Sequence, residues 1–158
     1  MEPAPPMNLE TTRFGELAVD PATIIHFPMG LLGFERYQRY ILIDSDQAEP
    51  MRWLQCVDDG GLALLVVEPT LFFPDYSPKL SADDRVFLQL PDGEEPLFAC
   101  VVVVPEVISQ MTINLMGPLA LNGDKRLGKQ VVLHDSQYTT RHRLLPDESP
   151  ATPAEPVA

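Results

Sequence analysis

Short apolar segments, separated at close intervals by turn residues, constrain the fold of this chain more than any other feature of its sequence. The clearest pair is residues 51–57 and 62–67, which flank the Asp-Asp-Gly-Gly turn at 58–61 and predict a β-hairpin. No segment carries the long 3.6-residue periodicity of a crossover helix, which excludes a doubly wound α/β fold. We therefore predict an all-β, mainly antiparallel fold: a small β-barrel or sandwich of short strands with one or two short helices.

The same reading places the other elements along the chain. We predict further strands at residues 9–14, 17–19, 23–27, 40–43, 85–90, 97–104, 109–115, 118–122 and 130–133. In 85–90, Val86, Leu88 and Leu90 share one face and Arg85 and Gln89 the other, which is the pattern of a half-buried strand. The continuous apolar segment 97–104 indicates burial on both faces. We expect one or two helical turns at 34–39 and a short helix within the Pro-rich segment 69–81.

The two ends of the chain differ in composition from its middle. Residues 1–6 are Pro-rich, and residues 146–158 combine prolines with acidic residues and almost no large apolar side chains. Neither end has enough apolar side chains to offset the entropy that the segment would lose on ordering, so we expect both ends to be disordered. Residues 7–145 are predicted to form one domain with a core of ordinary size.

The charge balance limits the classes of partner. The 158 residues include 23 acidic and 11 basic side chains, for a net charge of −12. Such a surface repels phosphate backbones, so we expect no direct binding to nucleic acid, whereas a basic protein partner fits. The alternative is that the acidity only maintains solubility. The chain opens without a signal-peptide pattern and has no apolar segment that could span a bilayer, so we expect a cytoplasmic protein without a membrane contact.

The residues that carry most enzyme chemistry are few and scattered. His26, His134 and His142 are far apart, and Cys56 and Cys100 form no C-x-x-C pair, so we expect free thiols, no metal, no cofactor and no catalysis. No nucleophile elbow is present. Two alternatives stay open: a metal-dependent β-barrel in which at least two of these five residues meet, and a barrel that binds a small molecule in an apolar pocket.

Two stretches are candidates for binding. In residues 26–35, Pro28, Gly30 and Gly33 lie among large apolar side chains, which indicates a shaped loop. This loop is either an apolar docking surface or a tight connection that caps a core. In residues 111–122, alternation places Asn114 outward next to a Gly-Pro bend. Asn114 either belongs to a binding surface or satisfies the backbone at the bend.

These stretches resemble a known family. The sequence Phe-Pro-Met-Gly-Leu-Leu-Gly-Phe-Glu at 27–35 is similar to the signature of the FliW family of flagellar assembly factors. Residues 112–122 and 128–133 resemble two further runs of that family, in the same order, so that the resemblance covers about residues 7–145. The chain departs from the pattern at Leu32, where Pro is usual, at Cys56, where a small hydroxyl residue is common, and at Gly117, where Ala is common.

The resemblance implies a function without catalysis or cofactor. It implies a FliW-like β-barrel domain, monomeric when free, that binds two partners in turn: the translational repressor CsrA and flagellin. We expect two groups of residues to shape the partner-binding surfaces: Gly30, Leu31 and Phe34 in the first, and Asn114, Leu115 and Pro118 in the second. The alternation of residues 111–116 places Leu115 on the core face.

Overall fold

A computed structural model describes residues 5–134 and 137–144 of the chain. The predicted disordered tail at 146–158, residue 145 and most of the predicted extension at 1–6 lie outside these residues. The strands are β1 (Met7–Thr11), β2 (Gly15–Val19), β3 (Ile25–His26), β4 (Arg39–Ile43), β5 (Arg52–Cys56), β6 (Ala63–Val67), β7 (Leu97–Val103), β8 (Thr112–Ile113), β9 (Leu119–Asn122), β10 (Leu127–Gln130) and β11 (His142–Arg143). The helices are α1 (Ala82–Phe87) and 3₁₀ turns at Pro21–Thr23, Pro69–Leu71 and Ile108–Gln110.

Within the described residues, seven strands close into a barrel in the order β7-β6-β5-β4-β3-β10-β9, and β9 pairs back onto β7. Each neighbouring pair is antiparallel except β3 and β10, which are parallel. Strand β7 closes the barrel because its residues 100–102 pair with β6 and its residues 97–99 pair with β9. Val102 and Val103 also pair with β8, which lies outside the ring. The predicted all-β, mainly antiparallel fold is confirmed, and it is a barrel.

The barrel interior follows the two-residue period of its strands. Tyr40 and Leu42 of β4 lie opposite Cys56 and Leu54 of β5, and all four side chains belong to one core cluster. The buried members of this cluster are Ile25, Phe27, Leu31, Tyr40, Leu54, Cys56, Val66, Leu119 and Leu121. The buried side chains of the interior therefore come from β3, β4, β5, β6 and β9 and from the segment that follows β3.

Two further clusters cover the outside of the barrel. Ile41 of β4 points outward and packs against Leu9 and Val19 of the β1–β2 hairpin. On another face, Cys100 and Val102 of β7 pack with residues of the segments that follow β6 and β8. Cys56 thus lies in the interior cluster and Cys100 in an outer one, and both are buried free thiols, as predicted.

The predicted strand at 85–90 is wrong, because helix α1 occupies this region. The Ser81 hydroxyl accepts a hydrogen bond from the backbone N–H of Asp84 (3.0 Å), which caps the helix N-terminus. Asp83 and Asp84 also place negative charge in the first turn, where the helix dipole favours it. None of the helices in the described ranges is long and apolar enough to cross a bilayer.

Five other predictions need correction. The predicted helical turns at 34–39 are wrong: residues 35 and 36 form a turn and Arg39 already begins β4. The N–H groups of Gln38 and Arg39 donate to the Asp58 carboxylate (2.8 and 3.0 Å) and not to helical carbonyls. Strand β7 is not buried on both faces, since Leu97 and Val103 at its two ends are exposed. The predicted strands at 23–27 and 109–115 shorten to two residues each, and the strand at 130–133 is instead 127–130.

Candidate functional site

The loop that connects β3 to β4, residues 27–38 and here called the signature loop, is held in one shape by its own backbone. Gly30 has a φ of +69°, and a Cβ at this position would lie 2.5 Å from the Cα of Glu35. Only glycine fits there without strain and collision. The Gly30 N–H donates to the Phe27 carbonyl (2.8 Å), and the Phe34 N–H donates to the Leu31 carbonyl (2.7 Å). The sequence-based prediction of a shaped loop is confirmed.

The β5–β6 turn supports the end of the signature loop. Besides accepting from the N–H groups of Gln38 and Arg39, Asp58 forms an ion pair with the Arg39 guanidinium at 2.8 Å. Partial burial alone would raise the pKa of Asp58, but these donors together hold it below its ordinary value. The Tyr37 hydroxyl donates to Asp59 at 2.8 Å. The loop is thus tied to a second connection at the same end of the barrel.

The second predicted stretch forms a bend at residues 114–118. The Asn114 side-chain oxygen accepts a hydrogen bond from the Gly117 N–H (2.8 Å), so Asn114 does satisfy the backbone at the bend. Leu115 and Pro118 are buried, and the Tyr76 hydroxyl donates to the Leu115 carbonyl at 2.6 Å. The sequence alternation placed Leu115 on the core face, and the structure confirms that placement.

Gln130 of β10 joins the signature loop to the bend. Its side-chain oxygen accepts from the Leu32 N–H (2.8 Å), and its side-chain NH₂ donates to the Gly117 carbonyl (2.9 Å). We call this pair of hydrogen bonds the Gln130 link. The structure thereby brings together two stretches that are about 80 residues apart in sequence. We give the name signature face to five residues of these two stretches and of the strand that joins them: Met29, Leu32, Phe34, Asn114 and Gln130.

Two of the three departures from the family pattern meet at the Gln130 link. Proline has no N–H, so the Pro that the resemblance led us to expect at position 32 could not make the Leu32–Gln130 hydrogen bond. A Cβ at Gly117 would lie 3.0 Å from the Gln130 nitrogen and 3.2 Å from that of Asn114. Glycine at 117 therefore leaves room for both amides. The third departure, Cys56, lies inside the barrel.

The six residues predicted to shape partner binding differ in exposure. Gly30, Leu31, Leu115 and Pro118 are buried, whereas Phe34 and Asn114 are half-buried. The apolar side chains that face water here are Met29 and Leu32, which are 61% and 60% exposed. Sequence reasoning did not select these two residues or Gln130, although Met29 and Leu32 flank the glycines of the signature. The role of the six residues in partner binding stays a prediction.

The histidines and cysteines do not form a metal-ligating cluster within the ranges that the structure describes, where no three His, Cys, Asp or Glu side chains come together. The two thiols lie in different clusters, on the inside and the outside of the barrel. Burial raises the pKa of the Cys100 thiol to about 12, so this group is protonated at neutral pH.

Comparison with known proteins gives a consistent result. The FliW protein family model matches residues 8–144. The flagellar assembly factor FliW of Natranaerobius thermophilus is 41% identical over 143 residues, which are 90% of this chain and 95% of that protein. The flagellar assembly factor FliW of Geobacter sulfurreducens is 43% identical over 136 residues, which are 86% of this chain and 85% of that protein.

A solved structure agrees with these sequence matches. A crystal structure of the flagellar assembly factor FliW superposes on this chain with a TM-score of 0.83 at 29% identity, and the match covers 90% of this chain and 99% of that one. These three proteins are all described as the flagellar assembly factor FliW, and each match covers at least 85% of both chains. The chain belongs to the FliW family of flagellar assembly factors.

Proposed function

We propose that this protein regulates flagellar assembly in the cytoplasm by binding two proteins in turn, a CsrA-type translational repressor and flagellin. Flagellin captures the protein while flagellin is abundant. When secretion has removed the flagellin, the freed protein binds the repressor and relieves its block on flagellin messenger RNA. The observation that carries this proposal is membership of the FliW family over residues 8–144. The proposed activity involves no catalysis and no cofactor.

Two properties of the molecule support a protein-binding role. The signature face presents Met29 and Leu32 on a loop that hydrogen bonds hold in place, so little ordering entropy is lost on binding. Methionine also adapts its shape to a partner surface. The net charge of −12 favours encounter with a basic partner, such as a protein that binds RNA.

The proposed switch requires that the two partners influence each other's binding. By linkage, flagellin can release the repressor only if the two compete or if one weakens the affinity for the other, and the effect is equal in both directions. The coupling is therefore measurable in a titration with either protein.

Isothermal titration calorimetry tests the proposal directly. We expect the purified protein to bind the repressor and flagellin separately with dissociation constants at or below the micromolar range, and to bind the repressor more weakly when it is saturated with flagellin. No binding to either partner at micromolar concentrations would refute the proposal. Equal affinity for the repressor with and without flagellin would refute the switch.

A pair of variants tests the signature face in the same assay. Leu32→Asp places a charge on the face and retains the backbone N–H of the Gln130 link. We expect at least one partner to bind at least tenfold more weakly. Val107→Asp is the matched control, because Val107 is also exposed (53%) but lies in the β7–β8 connection and is not one of the residues of this face. Unchanged affinity of Leu32→Asp for both partners would exclude the face from binding.

A further inference from the structure

A second apolar surface lies at the other end of the barrel, where β4 and β6 end and β5 and β7 begin. A cleft of about 370 Å³ opens there, and we call it the barrel mouth. Its lining includes interior-facing residues of four strands and two exposed leucines: Leu42, Val66, Ala99, Leu121, Leu71 and Leu97. The cleft is therefore continuous with the core inside the barrel.

The exposure of the two leucines is notable for side chains of this size. Leu71 is 57% exposed and Leu97 is 63% exposed, and both lie on the edge of the same cleft. An apolar cleft with exposed leucines at its edge suits an inserted apolar side chain, because insertion removes apolar surface from water on both partners. The shape and the lining of the mouth thus indicate a docking site.

The rim of the barrel mouth is strongly acidic. Four segments form it, residues 44–52, 68–71, 91–96 and 123–126, of which 68–71 and 91–96 are the two ends of the β6–β7 connection. Together they carry eight acidic and three basic side chains. One of the bases, Arg52, is already paired with Asp44 at 2.6 Å. The 123–126 turn lies beside the cleft, since a Cβ on Gly123 would be 3.8 Å from a methyl carbon of Leu97. By contrast, residues 27–39 and 58–61 at the signature end carry three acids and two bases.

This charge distribution favours one of three possible occupants of the barrel mouth. An anionic amphiphile, such as a fatty acid, would bring its head group to an acidic rim, and a second copy of this chain would bring a second acidic rim. The acidic rim repels both of these occupants. A basic protein segment is attracted, and its encounter is accelerated by the field of the rim. The complementary occupant is therefore a segment with an apolar side chain flanked by Lys or Arg.

We propose that the barrel mouth is the docking site for the basic, RNA-binding partner, which inserts an apolar side chain between Leu71 and Leu97 while its basic residues face the acidic rim. This inference rests on the proposed function for the identity of that partner, the repressor. It adds that the repressor docks at the end of the barrel opposite the signature face. The contrast in charge between the two ends is the observation that carries this assignment.

The test uses the full-length protein and measures its affinity for the repressor and for flagellin by calorimetry. We expect Leu97→Asp and Leu71→Asp each to weaken repressor binding at least tenfold, and the matched exposed variant Val107→Asp to change it less than twofold. Circular dichroism and the melting temperature check that each variant is folded. Glu95→Lys, in an exposed connection, tests the rim without touching the cleft.

The rim makes a kinetic prediction of its own. For the wild-type protein, association with the repressor should slow at least threefold when salt is raised from low to physiological ionic strength, because salt screens the acidic rim. Glu95→Lys should associate more slowly at low salt and depend less on salt. An association rate of Glu95→Lys equal to that of the wild type would overturn the role of the rim.

The outcomes separate this inference from the proposed function. If the wild-type protein binds neither the repressor nor flagellin, the proposed function fails. If the wild type binds the repressor and the folded Leu97→Asp and Leu71→Asp variants bind it equally well, the docking site is wrong and the proposed function stands. Weaker binding of flagellin alone by these variants would also overturn the assignment.

Discussion

Replacing Gln130 with Ala removes both hydrogen bonds that join the signature loop to the bend. The N–H of Leu32 loses an acceptor at 2.8 Å, and the carbonyl of Gly117 loses a donor at 2.9 Å. A neutral hydrogen bond contributes a net 0.5–1.5 kcal/mol or so, and thus we expect the free energy of unfolding to fall by about 1–2 kcal/mol. For a domain of this size the melting temperature should fall by about 2–8 °C.

Amide hydrogen exchange measured by NMR locates the effect. In Gln130→Ala we expect exchange of the Leu32 amide to accelerate by about fivefold or more, the factor that corresponds to about 1 kcal/mol of lost protection. The Phe34 amide is the internal control, since it donates to the Leu31 carbonyl and makes no contact with the Gln130 link. Its exchange should change by less than twofold unless the whole loop opens.

The variant Gln130→Glu separates the two hydrogen bonds. A carboxylate retains an acceptor for the Leu32 N–H but has no donor for the Gly117 carbonyl. We therefore expect Leu32 to stay protected in Gln130→Glu although the protein is destabilised. If Leu32 exchanges at the wild-type rate in Gln130→Ala and the melting temperature is unchanged, the link does not hold the loop and the reasoning is refuted.

Two further predictions concern stability. Gly30→Ala and Gly33→Ala each impose a positive φ on alanine, at a cost of about 1–2 kcal/mol, but only the new Cβ at position 30 also collides with the Glu35 backbone. Calorimetric melting should therefore show a larger loss of stability for Gly30→Ala than for Gly33→Ala. Equal losses would contradict the collision. Burial alone would raise the pKa of the Asp84 carboxyl, but the Lys129 ammonium and Ser81 hold this pKa below its ordinary value of 3.8. The ionised carboxylate therefore stabilises the fold above pH 3.8, and this stabilisation is lost as the pH falls through the lowered pKa. Urea denaturation of Asp84→Asn should therefore show a loss of about 1–3 kcal/mol at pH 7 that shrinks well below pH 3.8, and an equal loss at both pH values would refute the pairing.

The comparison of sequence and structure separates two kinds of local signal. The Asp-Asp-Gly-Gly turn at 58–61 predicted the β5–β6 hairpin correctly, because the backbone conformation of a tight turn depends on the residues within it. The alternation of 85–90 predicted a strand wrongly, since a few apolar residues fit more than one period. The Ser81 cap that begins helix α1 is also a local signal and was present in the sequence.

The site divides in the same way. The shape of the signature loop was predictable because Pro28, Gly30 and Gly33 restrict the backbone directly. The contribution of Gln130 was not predictable, since a single glutamine in a strand carries no motif. It reaches Leu32 only because parallel pairing of β3 with β10 places the ends of these strands side by side.

By itself, the sequence determined the strand-rich fold class, the turn at 58–61, the conformation of the signature loop, the negative charge and, through its ordered motifs, the family. Each of these depends on residue type or on interactions among residues within a few positions of one another. Only the tertiary structure decided which stretches share a surface and that the acidic rim and the apolar cleft lie at one end of the barrel. These features arise from closure between β7 and β9 and from the β3–β10 register, which join segments about 20 to 100 residues apart and leave no pattern in any single segment.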